Sequence, residues 1–252
     1  MINQHYFRIG VECDITFFVP CFNEENNIVF SLENIIRASI ETGVSYEILL
    51  VDDNSQDNTV SVIENYMRTH SDIPITFVKN KKNRGLGRNY VEGAYISKGK
   101  YYMLVNGDNA EPLEAIVAIV QKLNLADMIV PYFGKKDARS LGRRKVSSTF
   151  TFLVNLFSGH SLKYYNGPVA HLKLNVMRWH ADTDGFGYQA EILSRLLMEG
   201  ASFIEVEISN IDRESGVTKA FSTKNFLAVS HSLFQIFLRR VRSYLFYSGK
   251  NS

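Results

Sequence analysis

Short apolar runs rich in β-formers alternate with helical patterns through the first half of the chain, and this alternation restricts the fold more than any other feature. The apolar runs are residues 15–19, 46–51, 75–78 and 101–105. Apolar residues at helical spacing fill the intervals at 24–41, 59–67 and 85–97. Alternation of this kind predicts an α/β domain, with a mainly parallel sheet covered by helices on both faces.

Polar loops follow three of these predicted strands, at residues 20–25, 52–57 and 106–111. The carboxyl ends of parallel strands share one edge of a sheet, and ligands of open α/β sheets bind beyond that edge. We therefore expect the three loops to converge on one cleft.

The second half of the chain is less regular. A strand is predicted at 127–131, a basic loop at 135–145 and a late strand at 202–208, with helices at 147–157 and 191–199. The last helical pattern spans 225–247 and is amphipathic and basic. These patterns predict one domain over 1–222 and a helical tail over 223–252. The apolar face of the tail would lie on its own domain, on a second subunit of a homodimer or on an anionic membrane surface.

Composition excludes several classes of protein. Apolar residues make up 45% of the chain and charged residues 21%, which is typical of a globular domain. The net charge of +2 creates no strong basic field, so we expect no nucleic-acid partner. The N-terminus lacks the pattern of a signal peptide, and no apolar run reaches the roughly 18 residues of a spanning helix. We expect a cytoplasmic protein, with Cys13 and Cys21 as reduced core thiols.

Two acidic motifs stand at predicted strand ends, and each has two interpretations. Asp53 follows the second strand and could accept hydrogen bonds from a base or ribose, or could simply shape a turn. Asn106, Gly107 and Asp108 follow the fourth strand. They could hold a divalent cation that neutralises a diphosphate, or could form an ordinary Asn-Gly turn. The local sequence leaves these alternatives open.

As a set, the motifs resemble the family 2 glycosyltransferases with the GT-A (Rossmann-like) fold, and in particular the dolichol- or polyprenyl-phosphate mannosyltransferase branch. In chain order the motifs are residues 20–25, 51–59, 83–87, 106–108, 187–193 and 212–219. The resemblance runs from about residue 15 to residue 219 in the order and spacing of the family. It implies an inverting hexosyltransferase that uses a nucleotide-diphosphate sugar and Mg²⁺ or Mn²⁺.

The resemblance also implies roles for the donor side of the site. Asp108 matches the second acid of the metal-binding D-x-D motif, in which Asn106 and Gly107 fill the first two positions. Arg213 and Lys219 match cations of a mobile loop that grip phosphate. The residues that would frame the base and ribose are Pro20, Phe22, Glu24, Val51 and Asp53.

On the acceptor side, Gln189 and Glu191 match a pair that lines the sugar or acceptor, and Arg144 matches a basic position of the polyprenyl-phosphate branch. A polyprenyl or dolichyl phosphate is already ionised and needs no general base. An acceptor hydroxyl would need one, and Glu191 and Asp184 are the candidates.

Three positions depart from the family pattern. Asn106 replaces the first acid of D-x-D, which removes one charge from the metal site, and Ala110 removes another oxygen ligand. Phe133 stands where the polyprenyl-phosphate branch has an arginine. These departures keep two alternatives open, which are transfer to a glycan hydroxyl and a non-catalytic module that binds nucleotide sugars.

Overall fold

A seven-stranded sheet lies at the centre of the molecule, in a computed structural model that describes residues 12–134, 137–179, 187–209 and 223–247. The strands are β1 (Cys13–Cys21), β2 (Tyr46–Asp52), β3 (Ile75–Lys79), β4 (Gly99–Leu104), β5 (Met128–Phe133), β6 (Ala170–Leu172) and β7 (Phe203–Ile208). The helices of the described residues are α1 (Ile28–Thr42), α2 (Thr59–Thr69), α3 (Leu86–Ile96), α4 (Leu113–Val120), α5 (Leu141–Ser158), α6 (Lys173–Met177), α7 (Tyr188–Met198) and α8 (Thr223–Tyr247).

The strand order is β3-β2-β1-β4-β6-β5-β7. Strands β1 to β4 are parallel where they pair, and β5 is parallel to β7. The short strand β6 is antiparallel to both β4 and β5. Two reversals restore the direction, so β5 points the same way as β4 and both strands end at the same edge. The prediction of a mixed, mainly parallel sheet is confirmed.

Two apolar cores cover the faces of the sheet. Alternate side chains of a strand point to opposite faces, so Phe17 packs into one core and Phe18 into the other. Helices α1, α2 and α4 complete the first core, and helices α3, α5, α6 and α7 complete the second. The result is a three-layer arrangement in which helices cover both faces of the sheet, as the alternating sequence pattern predicts.

Three of the boundaries that differ from the sequence prediction lie near the converging loops or the basic segment. β1 continues through Pro20, because the carbonyl of this proline still accepts a hydrogen bond from the backbone N–H of Gly107 at 3.2 Å. α1 begins at Ile28 and not at residue 24, since the preceding loop is tied to the loop after β2. The prediction of a basic loop over 135–145 is wrong from Leu141 onward, where α5 begins after a cap by Ser140.

Helix α8 is present, as the amphipathic pattern predicts, and packs against the domain through part of its surface. The Arg240 guanidinium donates to the carbonyl oxygen of Leu156 at 2.7 Å, and the rings of Phe157 and Phe237 lie 5.9 Å apart. Ile236 is buried, whereas several large apolar side chains remain exposed. These exposed side chains are Phe234, Phe237, Leu238, Tyr244, Leu245 and Phe246. In the described part of the chain, no helix combines the length and the apolar character that crossing a bilayer requires.

Candidate active site

The loops after β1, β2 and β4 meet at the carboxyl edge of the sheet. Beyond the last paired residues, Gly107 donates its backbone N–H to the carbonyl of Pro20, and Asp53 donates its own to the carbonyl of Cys21 at 2.9 Å. β1 lies between β2 and β4, so its end serves as the shared anchor of the other two loops. The predicted convergence of the three loops is confirmed.

Side chains bind the first loop to the second. The backbone N–H of Asn23 donates to Ser55 Oγ at 2.9 Å, and Asn23 Oδ1 accepts from the backbone N–H of Gln56 at 2.8 Å. The backbone N–H of Glu24 donates to Thr59 Oγ1 at 2.8 Å. Asn23 adopts a left-handed conformation with φ of 61°, which an asparagine tolerates better than most residues. Hydrogen bonds to the loop after β2 therefore fix the conformation of the loop after β1.

Asp53 is buried, and its carboxylate orders the segment before α3. Oδ1 accepts from the backbone N–H of Arg84 at 2.8 Å and from Asn80 Nδ2 at 2.9 Å, and Oδ2 accepts from the backbone N–H of Gly85 at 3.0 Å. Burial acts to raise the pKa of Asp53. The nearby Asn89 amide and the three donors outweigh burial and hold that pKa below its ordinary value. Asp53 is thus held in its charged form, and its hydrogen bonds fix the segment at residues 80–85, which forms one wall of the candidate site.

The other residues predicted to frame the base lie around this wall. Pro20 and Val51 are Cα partners in the register of β1 and β2, and Val51 is buried. Phe22 is 37% exposed, so part of its ring is accessible at the mouth of the cleft. Glu24 accepts a hydrogen bond from Asn27 Nδ2 at 3.0 Å. The structure brings these residues together, and their contact with a nucleotide stays a prediction.

The loop after β4 approaches β1 so closely that Gly107 can have no side chain. A Cβ atom at this position would lie 2.9 Å from the carbonyl oxygen of Pro20 and 3.2 Å from Cys21 Cβ. Asn109 then turns the chain with φ of 57°. The Asp108 carboxylate accepts from the backbone N–H of Ala110 at 3.0 Å.

Glu111 is a buried carboxyl at the end of the same loop, and sequence analysis assigned it no role. It accepts hydrogen bonds from the backbone N–H of Asn106 at 2.9 Å and from Asn106 Nδ2 at 2.7 Å. Burial raises the pKa of Glu111 to about 7, against the opposing effect of these two hydrogen bonds. No sequence signal distinguishes this acid from the polar loop around it, because only the fold buries it.

Asp108 and Asn106 present the oxygen atoms that Mg²⁺ and Mn²⁺ prefer. Within the described residues, no cluster of three or more His, Cys, Asp or Glu side chains could hold a metal ion. A cation at this loop would therefore have few protein ligands and would take most of its remaining oxygens from a bound diphosphate and water. The residues present fit a cation that arrives with a nucleotide and do not fit a permanent structural metal.

Helix α7 begins beside this loop. Burial and then the nearby charge of Glu111 raise the pKa of Tyr188 in its first turn. Glu191 is buried in the same first turn. Gln189 is also buried, with its Nε2 3.1 Å from Nε2 of His171, whose pKa burial lowers to about 3. Gln189 therefore faces a neutral histidine, and its predicted role in binding stays untested.

A polar cavity of about 150 Å³ lies where β5 ends and α5 begins. It is lined by Phe133, Gly134, Asp137, Arg139, Arg144, Ser147, Ser148, Thr151, Lys163 and Tyr164. The Nε atom of Arg144 is buried and has no hydrogen-bond partner among the described residues. Since β5 points the same way as β4, this cavity lies at the same sheet edge as the loop of Asp108.

Arg139 in this cavity was missed by sequence analysis. Its guanidinium lies 4.3 Å from the centre of the Phe133 ring, pairs with Asp137 at 2.7 Å and donates to Tyr164 Oη at 3.0 Å. Phe133 occupies the position where the related family has an arginine, and here a guanidinium is stacked on that phenylalanine. The basic character of the position is thus supplied from six residues further along the chain. Its basic, loop-like surroundings were the only available sequence signal.

Three predicted site residues, Asp184, Arg213 and Lys219, lie outside the described residues. A further cavity of about 560 Å³ lies in the groove between α1 and α2, where Val29, Val62 and Tyr66 line it. None of the predicted site residues borders that groove. It is a separate surface feature.

Comparison with known proteins gives a consistent result. The profile described as Glycosyl transferase family 2 matches residues 16–184. A dolichyl-phosphate beta-glucosyltransferase of Dictyostelium discoideum is 32% identical over 101 residues, which cover 38% of this chain and 31% of that protein. A second such enzyme, of Trichomonas vaginalis, is 30% identical over 134 residues, covering 51% of this chain and 38% of that protein. The matches thus span 31% of the length of the first relative and 38% of the second.

Solved structures share the fold. A mannosyltransferase of Pyrobaculum calidifontis, in complex with GDP-Man and Mn²⁺, superposes with a TM-score of 0.64 at 18% identity, covering 91% of this chain and 64% of the other. A glucosyl-3-phosphoglycerate synthase of Mycobacterium tuberculosis, in complex with Mn²⁺ and UDP, gives 0.64 at 14% identity, covering 91% of this chain and 80% of the other. At these identities the likeness establishes the GT-A fold.

Asp53→Asn should destabilise the protein in a pH-dependent way. The pKa of Asp53 is lowered by folding, so its contribution to the free energy of unfolding is present above the unfolded pKa of about 4 and is lost as the pH falls through the folded pKa. We expect a loss of roughly 1–3 kcal/mol at neutral pH, because an amide cannot accept from all three donors. Urea denaturation across pH measures this loss.

The matched control is Asp72→Asn, which changes the same charge at an exposed position. We expect this control to alter the unfolding free energy little. A difference between Asp53→Asn and the native protein that stays constant down to acidic pH would contradict the assignment of a charged, hydrogen-bonded Asp53.

Proposed function

Because the chain belongs to glycosyl transferase family 2, we propose that it moves a sugar, with inversion at the anomeric carbon, from a nucleoside-diphosphate sugar to a polyprenyl or dolichyl phosphate. One observation carries the choice of acceptor. The lining of the cavity of Arg144 includes three cationic side chains and one acid, Asp137, which pairs with Arg139, and β5 brings the cavity to the same sheet edge as the loop of Asp108. Two relatives named dolichyl-phosphate beta-glucosyltransferases support it.

On the donor side, the loops after β1 and β2 would hold the nucleoside, with Phe22 and the wall ordered by Asp53 around the base. Asp108 and Asn106 would hold Mg²⁺ or Mn²⁺, which neutralises charge that develops on the departing diphosphate. Arg213 and Lys219 would add two cations to the same diphosphate.

On the acceptor side, Arg144 and Arg139 would orient a phosphate whose oxygen attacks the anomeric carbon. The new bond joins that oxygen to the sugar as the bond to the donor diphosphate breaks, and the diphosphate leaves with the electron pair. The attacking phosphate is already ionised, so this reaction needs no general base. The arginines compensate the charge of the incoming anion and hold it in line.

A second candidate is transfer to a glycan hydroxyl. The buried carboxyl of Glu191 in the first turn of α7 favours it, because a hydroxyl acceptor needs a base and Tyr188 in the same turn is close enough to Glu111 for that acid to raise the Tyr188 pKa. Asp184 is the other candidate base. Mild acid distinguishes the two products, since it releases sugar from a polyprenyl phosphodiester and leaves an ordinary glycoside intact.

We also propose that α8 contacts the cytoplasmic face of a membrane, where a lipid phosphate would be presented. Its exposed residues Tyr244, Leu245 and Phe246 lie next to Arg242, which suits an anionic lipid surface. The alternative occupant of this face is a second copy of the chain in a homodimer.

Asp108→Ala should abolish sugar transfer from the donor. The variant removes the one carboxylate that would hold the cation at the diphosphate, and the neighbouring amide of Asn106 cannot replace its charge. The measurement is the release of nucleoside diphosphate from UDP- and GDP-linked sugars, with polyprenyl phosphate in detergent and Mn²⁺. Unchanged turnover would refute the role of Asp108.

Arg144→Gln should weaken use of the phosphate acceptor. Loss of a charge-assisted hydrogen bond should lower kcat/KM for polyprenyl phosphate roughly 10- to 100-fold. The KM for the donor should change little. Lys145→Gln is the control, because Lys145 is exposed on the same helix and does not line the cavity. Equal effects of the two substitutions would argue against a phosphate site at Arg144.

Replacing Leu245 and Phe246 with serine should weaken binding to vesicles that contain phosphatidylglycerol, because the pair would no longer bury apolar surface in the interface. Sedimentation with vesicles measures binding, and Leu125→Ser provides a control at another exposed leucine. Dimerisation of the native protein without vesicle binding would show that a second copy occupies this face.

A further inference from the structure

Glu111 directs both of its carboxylate oxygens at a single residue, Asn106. Oε1 accepts from the side-chain amide and Oε2 from the backbone N–H. The group is buried, and burying a carboxyl is costly unless hydrogen bonds compensate the lost contact with water. Asn106 is also the position at which the metal motif lacks its acid. The two unusual features of the loop are therefore in direct contact.

This contact sets the orientation of the Asn106 amide. Both Glu111 oxygens accept from Asn106, so the NH₂ group of Asn106 faces Glu111. Oδ1 then points away from Glu111, and among the described residues no donor reaches it. An amide oxygen is a metal ligand, whereas an amide NH₂ group is not.

We propose that Glu111 is a positioning residue whose hydrogen bond to the Asn106 amide orients Oδ1 of Asn106 toward the divalent cation. Glu111 would not contact the cation, but its carboxylate would supply the negative charge that the motif lacks. This inference rests on the metal role proposed above. A carboxylate behind a ligand fixes its orientation and increases its electron density, as is common around metal sites. The negative charge that an acid at position 106 would carry is then provided by Glu111.

Helix α1 also holds the backbone of the loop, in addition to the bond from the backbone N–H of Asn106 to Glu111. Ser31 Oγ donates to the carbonyl of Asn106 at 3.0 Å and accepts from the backbone N–H of Asn109 at 2.9 Å. Asn34 Nδ2 donates to Asn109 Oδ1 at 2.9 Å. Helix α1 thus fixes the path of the chain. Substitution of Glu111 should therefore change the orientation of the Asn106 amide more than the position of the loop.

E111Q is the first test. An amide at position 111 offers one acceptor oxygen to two donors, and the buried backbone N–H of Asn106 cannot move away. The new NH₂ group then faces Asn106 and makes its amide turn over. We expect affinity for Mn²⁺ to fall roughly 10- to 100-fold. The measurement is electron paramagnetic resonance of free Mn²⁺, titrated into protein with UDP or with GDP.

E114Q is the matched control, since Glu114 carries the same charge three residues further on and is exposed. It should bind Mn²⁺ like the native protein. Thermal unfolding of each variant without metal reports whether it folds. If folded E111Q binds Mn²⁺ as tightly as the native protein, the inference is overturned.

A swap of the two groups separates positioning from a structural role. N106D alone places two carboxylates in contact and should bind Mn²⁺ less tightly than N106D/E111Q, in which the introduced amide again donates to the introduced acid. The double variant should regain at least native affinity. If it binds no better than either single variant, the inference is overturned, including in the case where E111Q alone does not fold.

Transfer in the presence of EDTA distinguishes the role of Glu111 from the proposed sugar transfer. Sugar transfer by the native protein that persists in EDTA would remove the metal role and overturn the inference, while the proposal of transfer to a lipid phosphate would stand. Loss of transfer in EDTA together with an unaffected E111Q would overturn only the role of Glu111.

Discussion

The hydrogen bond between Gly107 and Pro20 joins the end of β4 to the end of β1, and the arrangement of the candidate site depends on it. The two backbones approach so closely that any side chain at Gly107 would contact the carbonyl of Pro20. On the other side of β1, Asp53 is joined to Cys21 in the same way. Asp53 and Asp108 are thus carried on loops that share one strand end. A site held by main-chain bonds at a sheet edge is preorganised before a ligand binds.

Two of the three departures from the family pattern lie beside an ionic group from elsewhere in the chain. Asn106 lacks the charge of an acid, and Glu111 brings a carboxylate to within 2.7 Å of its amide. Phe133 lacks the charge of an arginine, and the Arg139 guanidinium stacks on its ring at 4.3 Å. In both cases the ionic group has moved along the chain while staying near the same point in space. Comparison of motifs position by position cannot detect such a displacement.

The sequence was sufficient for the parts of the fold that repeat. Strands β1 to β4 and helices α1 to α3 follow from local periodicity, and the convergence of their loops follows from the parallel sheet.

The sequence was insufficient where tertiary contacts decide the structure. β6 has three residues, too few for a recognisable pattern, and forms because β4 and β5 pair with it on both sides. The start of α5 looked like a basic loop, because its first turns carry Arg143, Arg144 and Lys145. Glu111 looked like a loop acid, because its burial depends on the surrounding elements.

The short strand β6 affects the spacing between the donor and acceptor sides of the site. It separates β4 from β5, and adjacent strands lie about 4.8 Å apart, so β4 and β5 are roughly 10 Å from each other where β6 pairs with both of them. The donor diphosphate would sit beyond β4, and the acceptor anion beyond β5. The one inserted strand thereby sets the spacing between the two strands whose loops would hold the donor and the acceptor.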